Sequence, residues 1–102
     1  MFAVIYRFTI KEGQQEIFEK AWRDLTILIA KHEGSLGSRL HEKSNLEYIA
    51  YAQWPDEETW KNSGGNLPLE ANEVRNKMRE STLEIETLHT MQVKDDLLKT
   101  KN

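Results

Sequence analysis

Arg39 and His41 stand two residues apart in the stretch Gly37-Ser38-Arg39-Leu40-His41. On a strand, that spacing puts both side chains on one face. An imidazole titrates near neutral pH and a guanidinium clamps anionic oxygen. The pair could therefore bind and deprotonate a phenol, with His41 as base and Arg39 as clamp. Two polar residues at a sheet edge or a dimer interface would look the same, and Arg39 could equally bridge to Glu84 or Glu86 of a second subunit. Tyr6 shares a strand face with Val4 and Phe8. If helices cover that face, its hydroxyl points into a pocket, needs a partner and could orient a substrate oxygen.

Trp22, Trp54 and Trp60 form the next set. Trp54 and Trp60 flank Pro55 and could wall an aromatic ligand. Trp22 belongs to a helical stripe, and aromatic residues serve a core more often than a substrate box. Tyr51 and His89 complete the candidate substrate contacts, although a lone strand histidine is more often a hydrogen-bonded core or interface residue. His32 closes a helix, where a partly positive imidazole suits the dipole. Asp95-Asp96 reads as solvated charge. The absence of cysteine removes disulfides, thiolate metal sites and cysteine nucleophiles. Three scattered histidines give no convincing transition-metal site, so no metal is expected.

The elements that must position these residues follow from periodicity. Residues 2–10 are β-branched and aromatic on both parities, which predicts a strand with two buried faces. Over 14–32, Ile17, Phe18, Ala21, Trp22, Leu25, Leu28, Ile29 and His32 recur at three- and four-residue spacing. That is a helix with one apolar stripe, flanked by the pairs Glu16/Lys20 and Glu19/Arg23 and stopped by Gly34. Residues 35–43 and 47–54 predict a hairpin, with Lys43-Ser44-Asn45-Leu46 as its turn. Asp56 reads as the N-cap of a short helix carrying Trp60. The Ser63-Gly64-Gly65-Asn66 loop that follows could be a flexible pocket lid. Pro68 opens a mostly polar helix to about residue 80, with Leu69, Val74 and Met78 as its apolar edge. Residues 82–93 read as a last strand, with Leu83, Ile85, Thr87, His89, Met91 and Val93 on one face. The stretch 94–102 reads as a charged tail or a frayed helix.

The order β-α-β-β-α-α-β is the split, ferredoxin-like α+β arrangement: a four-stranded antiparallel sheet with helices on one face. The other face, with Ile5, Ile49 and Tyr51, is too apolar for water, and a second copy would cover it. A homodimer is therefore expected. The chain has 102 residues, enough for one domain, read here as 1–93 plus the tail. At 38% hydrophobic and 30% charged residues the composition is globular. No apolar run approaches the ~18–20 residues of a membrane helix, and the opening residues lack the basic leader of a signal peptide. A net charge of -3 gives no reason to bind nucleic acid. A cysteine-free chain fits the cytoplasm.

The residues carry a family resemblance. Val4-Ile5-Tyr6-Arg7-Phe8, Lys11-Glu12-Gly13, Phe18 and Ala21-Trp22 are followed by Gly34 through His41. Ile49-Ala50-Tyr51-Ala52-Gln53-Trp54-Pro55 then leads to Trp60. In order and spacing this resembles the antibiotic biosynthesis monooxygenase family of dimeric α+β barrels, over roughly residues 2–93. The resemblance implies a pocket between sheet and helices. Some members oxidise phenolic or quinol substrates with molecular oxygen and without metal or flavin, because the ionised substrate supplies the electrons. Such a site needs a base, a donor and a dry aromatic pocket. The leading expectation is a cofactor-independent monooxygenase for a small aromatic or quinol-like substrate, with His41, Arg39 and Tyr6 catalytic. The second is a non-catalytic ligand-binding or stress-related dimeric module. The third is heme binding or degradation. The heme-degrading members use an Asn, a Trp and a His, and those positions fall on Tyr6, near Ser63 and near Glu73.

Overall fold

A computed structural model describes residues 1–99. The elements are β1 (Phe2–Ile10), α1 (Gln15–Glu33), β2 (Gly37–Ser44), β3 (Glu47–Trp54), α2 (Glu57–Lys61), α3 (Glu70–Glu80) and β4 (Thr82–Gln92). The four strands form one antiparallel sheet in the order β2-β3-β1-β4. This is the expected β-α-β-β-α-α-β fold. Residues 93–99 carry no regular structure, and residues 100–102 of the expected tail lie outside the described residues.

Side-chain alternation divides the two central strands cleanly. On β1, Phe2, Val4, Phe8 and Ile10 are buried under the helices, with Tyr6 between them. On β3, Tyr48, Ala50, Ala52 and Trp54 point the same way, each opposite its β1 partner. The small side chains of Ala50 and Ala52 let α1 approach, and Phe18 of α1 is fully buried against the sheet. Its ring lies 5.0 Å from Phe8 and 5.3 Å from Tyr48, the latter edge-on. Burying such side chains contributes roughly 1.5–3 kcal/mol apiece.

Helix ends follow local chemistry. Gly34 takes a φ of 81° and ends α1, where a side chain would be strained. Asp56 caps α2, its Oδ1 accepting from the Thr59 amide at 2.7 Å.

Three expectations are corrected. Lys20 pairs with Asp24 at 2.9 Å rather than Glu16, and Glu19 accepts from the Tyr48 hydroxyl at 2.5 Å rather than facing Arg23. On α3, the chain buries Ala71 and leaves Leu69 exposed, because the helix starts two residues after Pro68 and turns Leu69 outward. On β4, the expected single face is split. The register shifts between Ile5 and Tyr6, and again between Thr9 and Ile10, leaving Leu88 and Leu83 without Cα partners. Each unpaired residue reverses the alternation. Ile85 and Thr87 therefore sit opposite Phe8 and Tyr6 on the helix side, whereas His89 and Met91 sit opposite Ile5 and Ala3 on the open side.

Candidate functional site

An apolar cavity of about 160 Å³ lies between the sheet and α1. β1 contributes Tyr6 and Phe8 to its wall, and β3 contributes Ala52 and Trp54. Helix α1 presents Trp22, Leu25 and Ile29 at helical spacing, and Met78 and Ile85 close the side toward α3 and β4. The polar wall groups are few. The Ser38 hydroxyl donates to the Tyr51 carbonyl at 3.0 Å, and the Ser35 hydroxyl accepts from the Gly37 amide at 3.0 Å. Among the described residues, no carboxylate, histidine, lysine or arginine lines the cavity.

Two groups on this wall have chemistry to offer. Trp60, carried by α2, packs its ring 5.7 Å from Phe2 and donates its indole N–H to the Tyr6 hydroxyl at 2.8 Å. Tyr6 thus accepts from Trp60, and its own proton meets no acceptor among the described residues. Burial pushes the Tyr6 pKa above its ordinary 10.0, and the Trp60 hydrogen bond offsets that only in part. Tyr6 is therefore a neutral donor at physiological pH. The second group is Trp54. It is 4% exposed, and its Nε1–H, which has no accessible surface, meets no hydrogen-bond partner among the described residues. An unpartnered buried donor costs about 1–3 kcal/mol.

The other predicted residues lie on the opposite face of the sheet. Arg39 and His41 do share a face, as their spacing requires, but they sit opposite Tyr51 and Ile49 on the open side. Both are exposed, and the His41 ring nitrogen contacts the Ile49 carbonyl at 3.1 Å. His89 sits opposite Ile5 on that face. The structure therefore brings Tyr6, Trp22 and Trp54 together, with Trp60 behind Tyr6. It keeps Arg39, His41, Tyr51 and His89 apart from them. Glu86 is engaged by Arg7 of the same chain, at 2.9 and 2.5 Å. His32, on the last turn of α1, is half-buried away from the cavity wall.

Nothing in the pattern of residues marks Glu33. It is 7% exposed at the end of α1, and its carboxylate accepts from the Gly64 amide, from the Asn66 amide at 3.4 Å and from Asn66 Nδ2 at 3.2 Å. Arg75 donates to the Gly64 carbonyl at 3.1 Å. The expected flexible lid is thus a pinned loop, and none of its residues lines the cavity. No group of three or more potential metal ligands occurs among the described residues. No helix there is long and apolar enough to cross a membrane.

Comparison with solved structures finds the same fold in SnoaB, a cofactor-independent oxygenase from Streptomyces nogalater. It is 16% identical, with a TM-score of 0.75 over 96% of this chain and 97% of that one. Rv0793 from Mycobacterium tuberculosis is 13% identical, with a TM-score of 0.71 over 95% and 98% of the two chains. A comparison with curated proteins finds no match. The family model for antibiotic biosynthesis monooxygenase matches residues 1–66, from β1 through β3 and α2 to the loop that Glu33 pins. The chain belongs to the antibiotic biosynthesis monooxygenase family.

Proposed function

We propose that the protein is a cofactor-independent monooxygenase that oxidises a small aromatic or quinol-like substrate with molecular oxygen in the cavity beneath α1. The observation that carries this reading is the Tyr6 hydroxyl, fixed by Trp60 and free to donate, on a mostly apolar, aromatic wall. Family membership and the oxygenase among its structural relatives support it.

The substrate itself is the reductant. A hydroquinone that gains one oxygen atom on its ring and becomes a quinone gives up four electrons. They reduce dioxygen to that one ring oxygen and one molecule of water. Tyr6 donates to the substrate oxygen and holds the ring in place. Trp22 and Trp54 wall the ring, and the apolar lining keeps water from the oxygenated intermediate. The wall carries no base, so the phenolic proton leaves to solvent as the substrate ionises. His41 and Arg39 then have a different role. With Tyr51, Ile49, Ile5 and His89 they form the sheet face on which a second copy packs as a homodimer. A cysteine-free chain suits a reducing compartment, and the cytoplasm is the proposed location.

The test is oxygen uptake by the purified chain over a panel of quinols and phenols, with heat-unfolded protein and a chelator as controls. Uptake above autoxidation that survives chelation and falls in Tyr6→Phe supports the proposal. Equal uptake by Tyr6→Phe removes Tyr6 from the chemistry. No uptake across the panel favours the second reading, a ligand-binding module, which the lack of a base on the wall already suits. Heme is disfavoured as the ligand. The cavity is far smaller than a porphyrin, and no histidine lines it. A saturable Soret shift on hemin titration would reverse that judgement.

A further inference from the structure

The hydrogen-bond polarity of the cavity wall is uneven. Tyr6 accepts from the Trp60 indole at 2.8 Å, so its own hydrogen is what it offers a ligand. Ser38 is arranged the other way. Its hydroxyl hydrogen goes to the Tyr51 carbonyl at 3.0 Å, so its oxygen offers lone pairs. Ser35 repeats that pattern, accepting from the Gly37 amide at 3.0 Å while its hydroxyl faces the Gln53 carbonyl at 3.5 Å. The remaining wall hydroxyl, Thr26, is carried by α1 rather than the sheet, and a hydroxyl without a fixed partner serves as donor or acceptor alike.

Register places the donor and the acceptor. Ser38 pairs with Ala52, and Tyr6 pairs with Ala50. Cross-strand partners share a face, so both side chains stand on the helix side, where both residues line the cavity. They belong to β1 and β2, on either side of β3, two strand spacings or about 10 Å apart. Ala52 is the floor between them and has no side chain to block a ligand. The Tyr6 hydroxyl is held toward Trp60, which packs on Phe2 of the same strand, and not toward β2. One ligand oxygen does not serve both groups. Two oxygens at separate positions of one ligand do.

We propose that Ser38 is the second anchor of the ligand, accepting a hydrogen bond from a ligand hydroxyl remote from the oxygen that Tyr6 holds, so that the cavity selects diphenols over monophenols. This rests on reading the cavity as the phenol site of the proposed oxygenase, and it narrows the substrate class of that site. Ser38 is then a specificity residue. The polarity also sets which end of the diphenol ionises. Tyr6 donates toward negative charge, whereas the Ser38 lone pairs oppose it, so the proton leaves from the hydroxyl at the Tyr6 end.

The experiment is a 1H–15N NMR titration of the full chain, under nitrogen so that no substrate is oxidised, with hydroquinone and 4-fluorophenol. The two probes match in size and differ in whether the far end of the ring carries a hydroxyl hydrogen. The expected result is that hydroquinone binds about fivefold more tightly, the effect of one net hydrogen bond. Ser38→Ala should abolish that preference yet keep 4-fluorophenol within about twofold of its native affinity, which a general disturbance of the fold would not do. Thr26→Val should leave the preference in place. Equal affinity of the native chain for the two probes overturns the proposal. So does a preference that survives Ser38→Ala, one that disappears in Thr26→Val, or an equal loss of both probes in Ser38→Ala. Binding of neither probe at millimolar concentration overturns it together with the phenol site. The readout is binding alone. A Ser38-dependent preference for hydroquinone without oxygen uptake would sink the oxygenase reading and leave this one standing. Uptake that is indifferent to Ser38→Ala, with no preference between the probes, would do the reverse.

Discussion

The Trp60 indole donates to the Tyr6 hydroxyl at 2.8 Å, joining α2 to β1 across 54 positions of sequence. The bond sets which way the Tyr6 proton faces. With the hydroxyl oxygen receiving the indole hydrogen, the phenolic hydrogen is left for another acceptor. Tyr6→Phe therefore removes the donor and is expected to lower kcat roughly 100-fold, the scale of one lost oxyanion donor. Trp60→Phe keeps the donor and loses only its orientation, and should cost about tenfold. Each should lose about 0.5–1.5 kcal/mol of stability in urea. Steady-state oxygen uptake by both variants checks the order. A Trp60→Phe defect larger than that of Tyr6→Phe would mean that the indole acts on substrate directly.

His41 and Arg39 face away from the cavity, so His41→Ala and Arg39→Ala should leave kcat within about twofold. The pH profile carries the same information. With a histidine base, the rate would rise through an inflection near the imidazole value of ~6.5. With no titratable wall group except a tyrosine of raised pKa, the rate should instead climb with the ionisation of whichever phenol is supplied. Profiles for two phenols of different acidity should be displaced from one another. Superimposed profiles would show that a protein group governs the proton.

The reading of Arg39 and His41 marks the limit of what the sequence shows. Their shared face follows from spacing alone. Which face it is does not, because β3 is apolar on both parities: Tyr48, Ala50 and Ala52 on one side, Ile49 and Tyr51 on the other. Only packing against Phe18 decides between them. Elements with a single strong period were legible: the α1 stripe, the Gly34 stop and the Asp56 cap. On β4 the two unpaired leucines reverse the alternation, and nothing in Thr-Leu-Glu-Ile-Glu-Thr-Leu-His marks them as such. Glu33 was illegible for a related reason. Lys31-His32-Glu33-Gly34 reads as a solvated helix end, while the partners of the carboxylate stand 31 to 33 residues away.

Asp56 gives a pH dependence with a definite sign. The Thr59 hydroxyl and then the Thr59 amide donate to its carboxylate, and they hold its pKa below the ordinary 3.8. A group depressed in the folded state stabilises above its unfolded pKa and loses that contribution as pH falls through the folded one. Urea midpoints should therefore drop below about pH 4 more steeply in the native chain than in Asp56→Asn, whose neutral amide still caps the helix. Parallel acid limbs in the two proteins would contradict this.

The open sheet face yields a prediction about assembly. Ile5, Ile49 and Tyr51 are half-buried there with no helix above them. If a second copy covers them, Ile49→Lys places an ammonium beside Arg7 and His41 in a buried interface, which costs several kcal/mol. Sedimentation velocity at micromolar concentration should show a dimer for the native chain and a monomer for the variant. A native monomer would remove the homodimer from the reading. A variant that stays dimeric would move the interface elsewhere.

Glu33 pins the loop that connects α2 to α3. Its two oxygens hold the Gly64 and Asn66 amides and the Asn66 side chain, and Gly64 adopts a φ of 104° that other residues rarely take. Gly64 and Asn66 are exposed, so water takes over these donors when the carboxylate is removed, and the net loss is about 0.5–1.5 kcal/mol per hydrogen bond. Glu33→Ala should lower the urea midpoint accordingly. Glu33→Gln keeps one acceptor oxygen but turns an NH2 group toward the remaining amide donors, so it should recover only part of the loss. Amide exchange locates the effect: Gly64 and Asn66 should exchange faster in both variants, while Phe8 and Ala50 in the central strands keep their protection relative to global unfolding. Helix α2 lies directly before this loop and carries Trp60. A loosened loop should therefore also weaken the Trp60–Tyr6 bond, visible as upfield movement of the Trp60 indole proton. If Glu33→Ala frees the loop amides and the Trp60 signal stays in place, α2 is held by Asp56 and Phe2 alone, and the loop has no part in positioning Tyr6.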